Sequence, residues 1–447
     1  MLANPCPSLF RRLPVALVLL LVPLAAGCGD DTAPGASHAP TARIMVFSDP
    51  HYFASSLGST GAAFQDYLAQ DRKLIAESDA LMRTMVGLVE TEDPDIVLVS
   101  GDLTKDGERL SHDTVASFFL DIESRGRKVF VVPGNHDTQN GGAKSYAGDV
   151  ATDVPTISAA EFASIYQDAG YEEALARDPG SLSYIAELLP GLWLLAIDSC
   201  IYGDTRGSSM TGGRLSEDTR AWIKLQLDEA KRHGARVLAM MHHGLVEHFA
   251  NQTLLFADFV IADRVAVASL LSEGGVHAVF TGHFHANDIT QVVAPGQQAP
   301  IFDIETGSTV TYPCPYRIVD VSSDVLSIAT RHVSDIPYDL GGAPDFQSYA
   351  HDSLRVGLET LIAGLIQAPP YSISADEAAT LSPWLGDGLV AHYAGDEIMP
   401  ADVPIVVQDL LSSGNLVEGL AGTMLQSIYT DLPPPDNDVT LDLSIGM

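Results

Sequence analysis

The sequence predicts an α/β fold with a helical region behind it. Three observations carry this expectation. Apolar runs of β character at residues 43–48, 95–100, 128–132, 192–197, 236–241 and 276–281 alternate with helically spaced stretches at 71–90, 111–124, 157–169, 216–233 and 265–272. Such alternation builds a largely parallel sheet flanked by helices. Several of the apolar runs open directly onto Gly, Asp, Asn or His, and the carboxyl ends of strands are where α/β sheets bind ligands. After about Asp335 the alternation stops and helical periods take over.

Taken in order, residues 43–48 form a first strand that ends in Asp49-Pro50-His51. Side chains at i and i+2 share a face where a strand ends, so Asp49 and His51 can point at one object. Residues 52–70, rich in Ser, Gly and Ala with aromatics, read as a long loop near that point. The run DIVLVS (95–100) is followed at once by Gly101-Asp102, and the strand at 128–132 by Pro133 and then Gly134-Asn135-His136-Asp137. Residues 181–185 and 192–197 read as strands and 216–233 as an amphipathic helix. The strand at 236–241 opens onto His242-His243, and that at 276–281 onto Gly282-His283-Phe284-His285. Strands then dominate 301–333. Beyond them, 353–367, 375–381 and 403–429 read as helical and 389–393 as a single turn, with Pro369-Pro370, Pro383 and several glycines as breaks. The tail, 432–447, with Pro433-Pro434-Pro435, is weakly specified.

Composition narrows the function. The chain has 447 residues, 46% hydrophobic and 18% charged, with a formal net charge of −34. That balance opposes a nucleic-acid polymer as partner, since such binders need basic patches. It fits an exported protein kept soluble by charge repulsion. Residues 1–28 read as a targeting segment: Arg11-Arg12, an apolar stretch from Leu13 to Leu24 too short for a comfortable membrane span, then Leu24-Ala25-Ala26-Gly27-Cys28. Small residues directly before a Cys in this setting resemble a bacterial lipobox. The resemblance implies cleavage before Cys28 and a lipid anchor on it, hence a membrane-held protein of the cell envelope. The other reading is an ordinary signal peptide with an incidental Cys, and it too implies export. Residues 29–42 read as a flexible tether. Cys200 and Cys314 lie in the mature chain, in a compartment that permits disulfides, and the sequence leaves their pairing open.

One metal-competent side chain after a strand is ordinarily a hydrogen-bonded surface residue. Five such segments on one α/β protein call for a shared site. D-x-H, GD, GNHD, a His after a strand and GHxH in this order resemble the metallophosphoesterase (calcineurin-like) superfamily. The wider stretches SDPHYFASSLG, GDLTKDGERLSH, RDPGSLSY and TGSTVTYPCPYR resemble exported, often lipid-anchored bacterial phosphodiesterases similar to class III cyclic-nucleotide phosphodiesterases. The resemblance implies a four-layer α-β-β-α sandwich over residues 43–334 and a C-terminal helical domain over 335–447. It implies two transition-metal ions (Fe, Mn or Zn). Asp49, His51 and His285 would hold one, and Asn135, His242 and His283 the other, with Asp102 between them. Neutral His and Asn ligands would leave the ions' charge largely uncancelled, which suits a phosphate ester, and N/O donors suit these metals.

The same resemblance implies in-line attack on phosphorus by a hydroxide shared between metals about 3.5–4 Å apart. His136 is assigned to face the substrate, stabilising charge and protonating the leaving group. Asp137 is assigned to orient His136 or a neighbouring ligand, and His243 to the rim or to support of a ligand. One departure from the family pattern is Gly244-Leu245 after the His pair, where many diesterases carry Pro. His112, at a helix start, is read with Ser111 as a cap, and His248, His277, His332, His351 and His392 as surface or core residues. The implied function is hydrolysis of small phosphodiesters such as cyclic nucleotides. A phosphomonoesterase or nucleotidase on the same scaffold is the alternative, followed by a phospholipid-type diesterase. A non-enzymatic envelope lipoprotein fits poorly, because none of the seven ligand positions is lost.

Overall fold

The computed structural model describes residues 41–202, 209–322, 324–395 and 397–443. Cys28, the targeting segment and most of the tether lie outside them. Among the described residues no helix is long and apolar enough to cross a membrane.

In chain order the strands are β1 (Thr41–Phe47), β2 (Ile96–Val99), β3 (Lys128–Val131), β4 (Lys144–Ser145), β5 (Thr152–Asp153), β6 (Ala174–Arg177), β7 (Tyr184–Leu189), β8 (Leu192–Ile197), β9 (Arg236–Met241), β10 (Ala278–Thr281), β11 (Asp288–Val293), β12 (Pro300–Glu305), β13 (Pro315–Ser322), β14 (Val325–His332) and β15 (Asp438–Asp442). The helices are α1 (Ala62–Leu68), α2 (Ser78–Glu92), α3 (Arg109–Ser124), α4 (Ala159–Ile165), α5 (Glu217–His233), α6 (Gln252–Leu255), α7 (Arg264–Glu273), α8 (Phe346–Gln367), α9 (Ala375–Ala394), α10 (Val403–Ser412) and α11 (Leu416–Ile428).

Two sheets form, in the orders β15-β14-β13-β1-β2-β3 and β11-β12-β10-β9-β8-β7-β6. Strands β1, β2 and β3 run parallel in the first, and β8, β9, β10 and β12 in the second. The two-residue side-chain period sets the layers. On β8, Leu192, Leu194 and Ala196 join the core between the sheets, while Trp193, Leu195 and Ile197 turn to Ile223 and Leu227 of α5 and Val267 and Leu271 of α7. On the other side, Leu81 and Met85 of α2 and Val115 and Phe119 of α3 close the first sheet. The result is the expected helix–sheet–sheet–helix sandwich. The sequence of parallel strands places the residues after β1, β2, β3, β9 and β10 at carboxyl ends.

Helices α8–α11 follow as a helical region. Its core (Leu354, Leu358, Ile362, Leu385, Leu425) is continuous with Phe249, Phe284 and Ala286 of the sandwich. Four local expectations change. The helical spacing at 71–90 becomes helix only from Ser78. Before it, Leu74 donates its N–H to the Val310 carbonyl in the loop between β12 and β13 and Lys73 donates its own to the Asp71 carboxylate, holding residues 71–77 as irregular chain. The loop at 52–70 contains α1. Pro383 sits inside an unbroken α9, where Leu381, Leu385 and Leu389 are buried in the helical core. That packing offsets a cost of about 3 kcal/mol for an interior proline. The weakly specified tail supplies β15, which pairs with β14 and turns Leu441 into the core.

Candidate metal centre

Five turns converge where the parallel strands end. Asp49, His51, Asp102, His242, His283 and His285 are all at most 4% exposed, and Asn135 is 9% exposed. The turns are backbone-strained. Among the described residues, eleven non-glycine residues have positive φ, and Asp49, His51, Asp102, His283 and His285 are five of them. Left-handed backbone at non-glycine positions is costly and concentrates at functional sites. The turn glycines permit the approach: a Cβ on Gly134 would lie 2.1 Å from Asp102 Oδ1, and one on Gly282 would lie 2.4 Å from Asp49 Oδ2.

The side chains gather into two adjoining groups. In the first, His51 Nε2 and His285 Nε2 face each other at 3.1 Å, and Asp49 Oδ1 lies 3.8 Å and 3.5 Å from them. In the second, His242 Nε2 lies 3.1 Å from Asn135 Oδ1, with His283 alongside. Asp102 Oδ2 stands between the groups, 3.6 Å from His51 Nε2 and 3.4 Å from His242 Nε2. Within each group, donor atoms of Asp49, His51 and His285, and of Asp102, His242 and His283, fall inside 4.8 Å of one another.

This donor set fits two metal ions. Asp49 Oδ1 is buried with no hydrogen-bond partner, as a carboxylate oxygen reserved for a cation would be. Burial, with smaller effects from charged neighbours, pushes the pKa of His51 and His283 well down and that of His285 to about 4. Neutral imidazole is the ligating form. Burial opposes charge on Asp102, but His242, His136 and His51 hold its carboxyl well below the ordinary range. Backbone and side-chain acceptors orient the rings through their second nitrogens: His242 Nδ1 meets the Ser100 carbonyl at 2.8 Å and His285 Nδ1 meets Thr311 Oγ1 at 3.1 Å.

His136 sits at the mouth, its ring 5.0 Å from that of His51 and its side chain 24% exposed. Its ring is held by Asp106, at 2.9 Å from Nδ1 to Oδ1. No sequence signal singles out Asp106. It lies in the GDLTKDG loop, four residues beyond Asp102, and that spacing alone gave no reason to aim it at His136. Lys105 behind it bonds the Asp106 carboxylate and lies 4.3 Å from the centre of the Tyr67 ring. Burial works against that ammonium, yet Asp106 and Glu108 raise its pKa above the ordinary value.

Asp137 acts elsewhere than on the His136 ring. It accepts from the N–H groups of Gly134 (2.8 Å), Leu103 (3.1 Å) and Thr104 (3.0 Å), clamping together the loops that carry Asn135 and Asp102. Burial, then the nearby Asp102 charge, push its carboxyl up to about 7 against those donors. His243 packs against two of the ligand rings, its centre 4.5 Å from that of His283 and 5.2 Å from that of His242, while its own nitrogens bond outward, Nδ1 at 2.7 Å from Ser199 Oγ and Nε2 at 3.0 Å from the Thr211 carbonyl. The Gly244-Leu245 loop is pinned by Asp303, which accepts from the N–H groups of Leu245 and Val246. His112 and Ser111 do not cap α3. His112 is a buried residue of that helix, bonded to Tyr166 and to the Asp137 carbonyl, and Ser111 accepts from the Ala54 N–H. Cys200 and Cys314 are free thiols.

The family model for calcineurin-like phosphoesterases matches residues 42–287, more than half of the chain. The chain belongs to this family. The matched segment begins just before Asp49 and ends just after His285, so it carries every residue of the two groups. Among solved structures, this phosphoesterase is similar to a dimetal phosphatase from Danio rerio (17% identity, TM-score 0.45, covering 65% of this chain and 96% of that one). It is also similar to the purple acid phosphatase PPD1 from seeds of yellow lupin, Lupinus luteus (12% identity, TM-score 0.40, covering 67% and 52%). The comparison with curated proteins gives no match.

The structure also brings in cations that lie far from the motifs in sequence. Lys73 lies close enough to His51 and His136 to oppose their protonation, and its ammonium is 3.7 Å from Asp71 Oδ2. Arg72 is its neighbour, on the wall of a cavity of about 460 Å³ lined by Phe256, Phe259, Phe284, Tyr393 and leucines of the helical region. Phe259 rests on His283, with ring centres 4.7 Å apart.

Proposed function

We propose that this phosphoesterase is a phosphodiesterase for small substrates such as cyclic nucleotides. Asp49, His51 and His285 would hold one metal, Asn135, His242 and His283 the second, and Asp102 would bridge them. When bound, such a pair supplies Lewis-acid charge stabilisation and acidifies water toward neutral pH. His136, held by Asp106, faces the reacting phosphoryl group, where it donates a hydrogen bond to developing charge and a proton to the leaving oxygen. Gly134, Asp137 and the Thr104 loop keep Asp102 and Asn135 at fixed separation. The catalytic part would span 43–334, with 335–447 as the helical part. Export and anchoring at Cys28 complete the proposal, placing the enzyme at a membrane surface with a small-molecule partner.

The observation that carries the diester reading is the apolar, aromatic cavity whose Phe259 wall rests on His283. A diester brings a bulky second substituent, and aromatic faces suit a base. The cations near the site are also partly neutralised, Lys105 by Asp106 and Lys73 by Asp71. Against this, Lys73 beside His51 and His136 favours the more highly charged phosphomonoester. The test compares turnover of a bis-p-nitrophenyl diester with that of the p-nitrophenyl monoester by the Mn-loaded chain. Diester preference supports the reading, and monoester preference replaces it with a phosphatase on the same residues.

A further inference from the structure

A second cluster of metal-competent side chains lies outside the catalytic centre, where β11, the end of α9 and the tail before β15 meet. Asp288 opens β11, His392 lies in the last turn of α9, and Glu397 follows that helix. Two segments far apart in sequence, β11 and the end of α9 with the chain just after it, thus bring three donors into a common space. Donor atoms of Asp288, His392 and Glu397 lie within 4.8 Å of one another, and those of Glu397, Asp431 and Asp436 form an adjoining group by the same measure. His392 Nδ1 contacts Glu397 Oε1 and lies 3.7 Å from Asp288 Oδ2.

These donors are buried and incompletely used. The side chains of Asp288, His392 and Glu397 are at most 1% exposed. Asp288 Oδ2 and Glu397 Oε2 each lack a hydrogen-bond partner, as does His392 Nε2. Buried carboxylate oxygens left without a hydrogen-bond partner are costly unless a cation meets them. The neighbouring cations are already engaged: Arg317 donates to the backbone carbonyls of Asp288, Glu305 and Asp436 and to Thr330 Oγ1. His248 lies 2.6 Å from Asp288 Oδ1, but also 3.1 Å from Asp303 and 3.5 Å from Glu305, so one imidazolium faces three carboxylates. A lone imidazolium on His392 would face both Asp288 and Glu397, with Asp431 and Asp436 adjoining.

We infer that Asp288, His392 and Glu397 bind a third divalent ion of the Zn²⁺ or Mn²⁺ class, which clips the helical region to the second sheet. Imidazole with carboxylates is the donor set of such ions. No part of this inference requires the catalytic reading. Its structural consequence is specific: the ion fixes the end of α9, and so the adjacent Tyr393, which lines the aromatic cavity.

The experiment measures metal per chain by mass spectrometry on the full-length protein after equilibration with Zn²⁺ or Mn²⁺ and removal of excess ion. Wild type is expected to hold about one ion per chain more than Glu397→Gln, whatever the catalytic centre retains in both. The midpoint of thermal unfolding should rise less with added metal in the variant than in wild type. Asp288→Asn should behave alike, and if it does not fold, the isosteric Glu397→Gln, outside any helix or strand just past the end of α9, still decides the matter. Asp102→Asn disturbs the catalytic pair and should keep the third ion's contribution to thermal stability. Equal metal content in wild type and Glu397→Gln, with equal metal-induced stabilisation, would overturn the inference and leave the cluster as buried ion pairs.

Discussion

The proposed role of His136 puts its sharpest test on Asp106. His136 Nδ1 and Asp106 Oδ1 are 2.9 Å apart, and burial and Lys105 surround the pair. The carboxyl lies well below its ordinary pKa, despite burial, because His136 and Lys105 favour its charge, so the bond is charge-assisted. Such bonds contribute about 1.5–3 kcal/mol and neutral ones about 0.5–1.5 kcal/mol. Asp106→Asn keeps the shape and removes the charge, a difference of about 1–2 kcal/mol. At about 1.4 kcal/mol per tenfold, kcat should fall roughly 5- to 30-fold if His136 acts in the transition state. KM and metal content should hardly change, because Asp106 bonds His136, Lys105 and Asn140 and none of the seven proposed ligands. The substitution also strands the Lys105 charge, so stability falls. The double variant Lys105→Met with Asp106→Asn should recover stability while keeping the kcat loss. The assay is steady-state hydrolysis of the diester alongside urea unfolding. An unchanged kcat in Asp106→Asn, with metals in place, would refute the reasoning.

Other outcomes follow from single sites. Gly282→Ala puts a Cβ 2.1 Å from Ser48 Oγ and 2.4 Å from Asp49 Oδ2, so metal content measured by mass spectrometry should drop in a chain that still folds. Burial holds His112 near a pKa of about 3, against 6.5 when exposed, so the folded state refuses a proton that the unfolded chain accepts below pH 6.5. Stability should therefore decline by about 2 kcal/mol between pH 7 and pH 5 from this residue, and urea midpoints should show that slope reduced in His112→Gln. Leu358→Ala, at a position 2% exposed in the helical core, should cost about 2–5 kcal/mol in urea unfolding.

The sandwich and the ligand turns were legible because their signals are local. A parallel strand is a short apolar run, and the polar residue just beyond it marks the carboxyl end, so Asp49, Asp102, Asn135, His242 and His283 could be placed on one rim without coordinates. The β8 run LWLLAI shows the limit: every residue is apolar, and only the packed sheets reveal that alternate ones face different layers. Residues that act across loops left no such trace. Asp106 reaches His136 through a turn whose register the sequence does not set. Lys73 approaches the centre because Leu74 bonds the Val310 carbonyl and stops a helix that spacing predicts. His392 and Glu397 gain their meaning only when α9 continues through Pro383 and ends beside Asp288. Propensity predicted a break there, and burial of the helix face overrode it.

The central claim is that this cluster works as a two-metal phosphoesterase site. Metal-free chain titrated with Mn²⁺, with bound ions and diester and monoester turnover followed together, tests it most directly. Hydrolysis should be absent without metal, appear as ions load, and be lost in Asp102→Ala and Asn135→Ala. Full hydrolysis by the metal-free chain, or undiminished rates in both variants, would contradict the account.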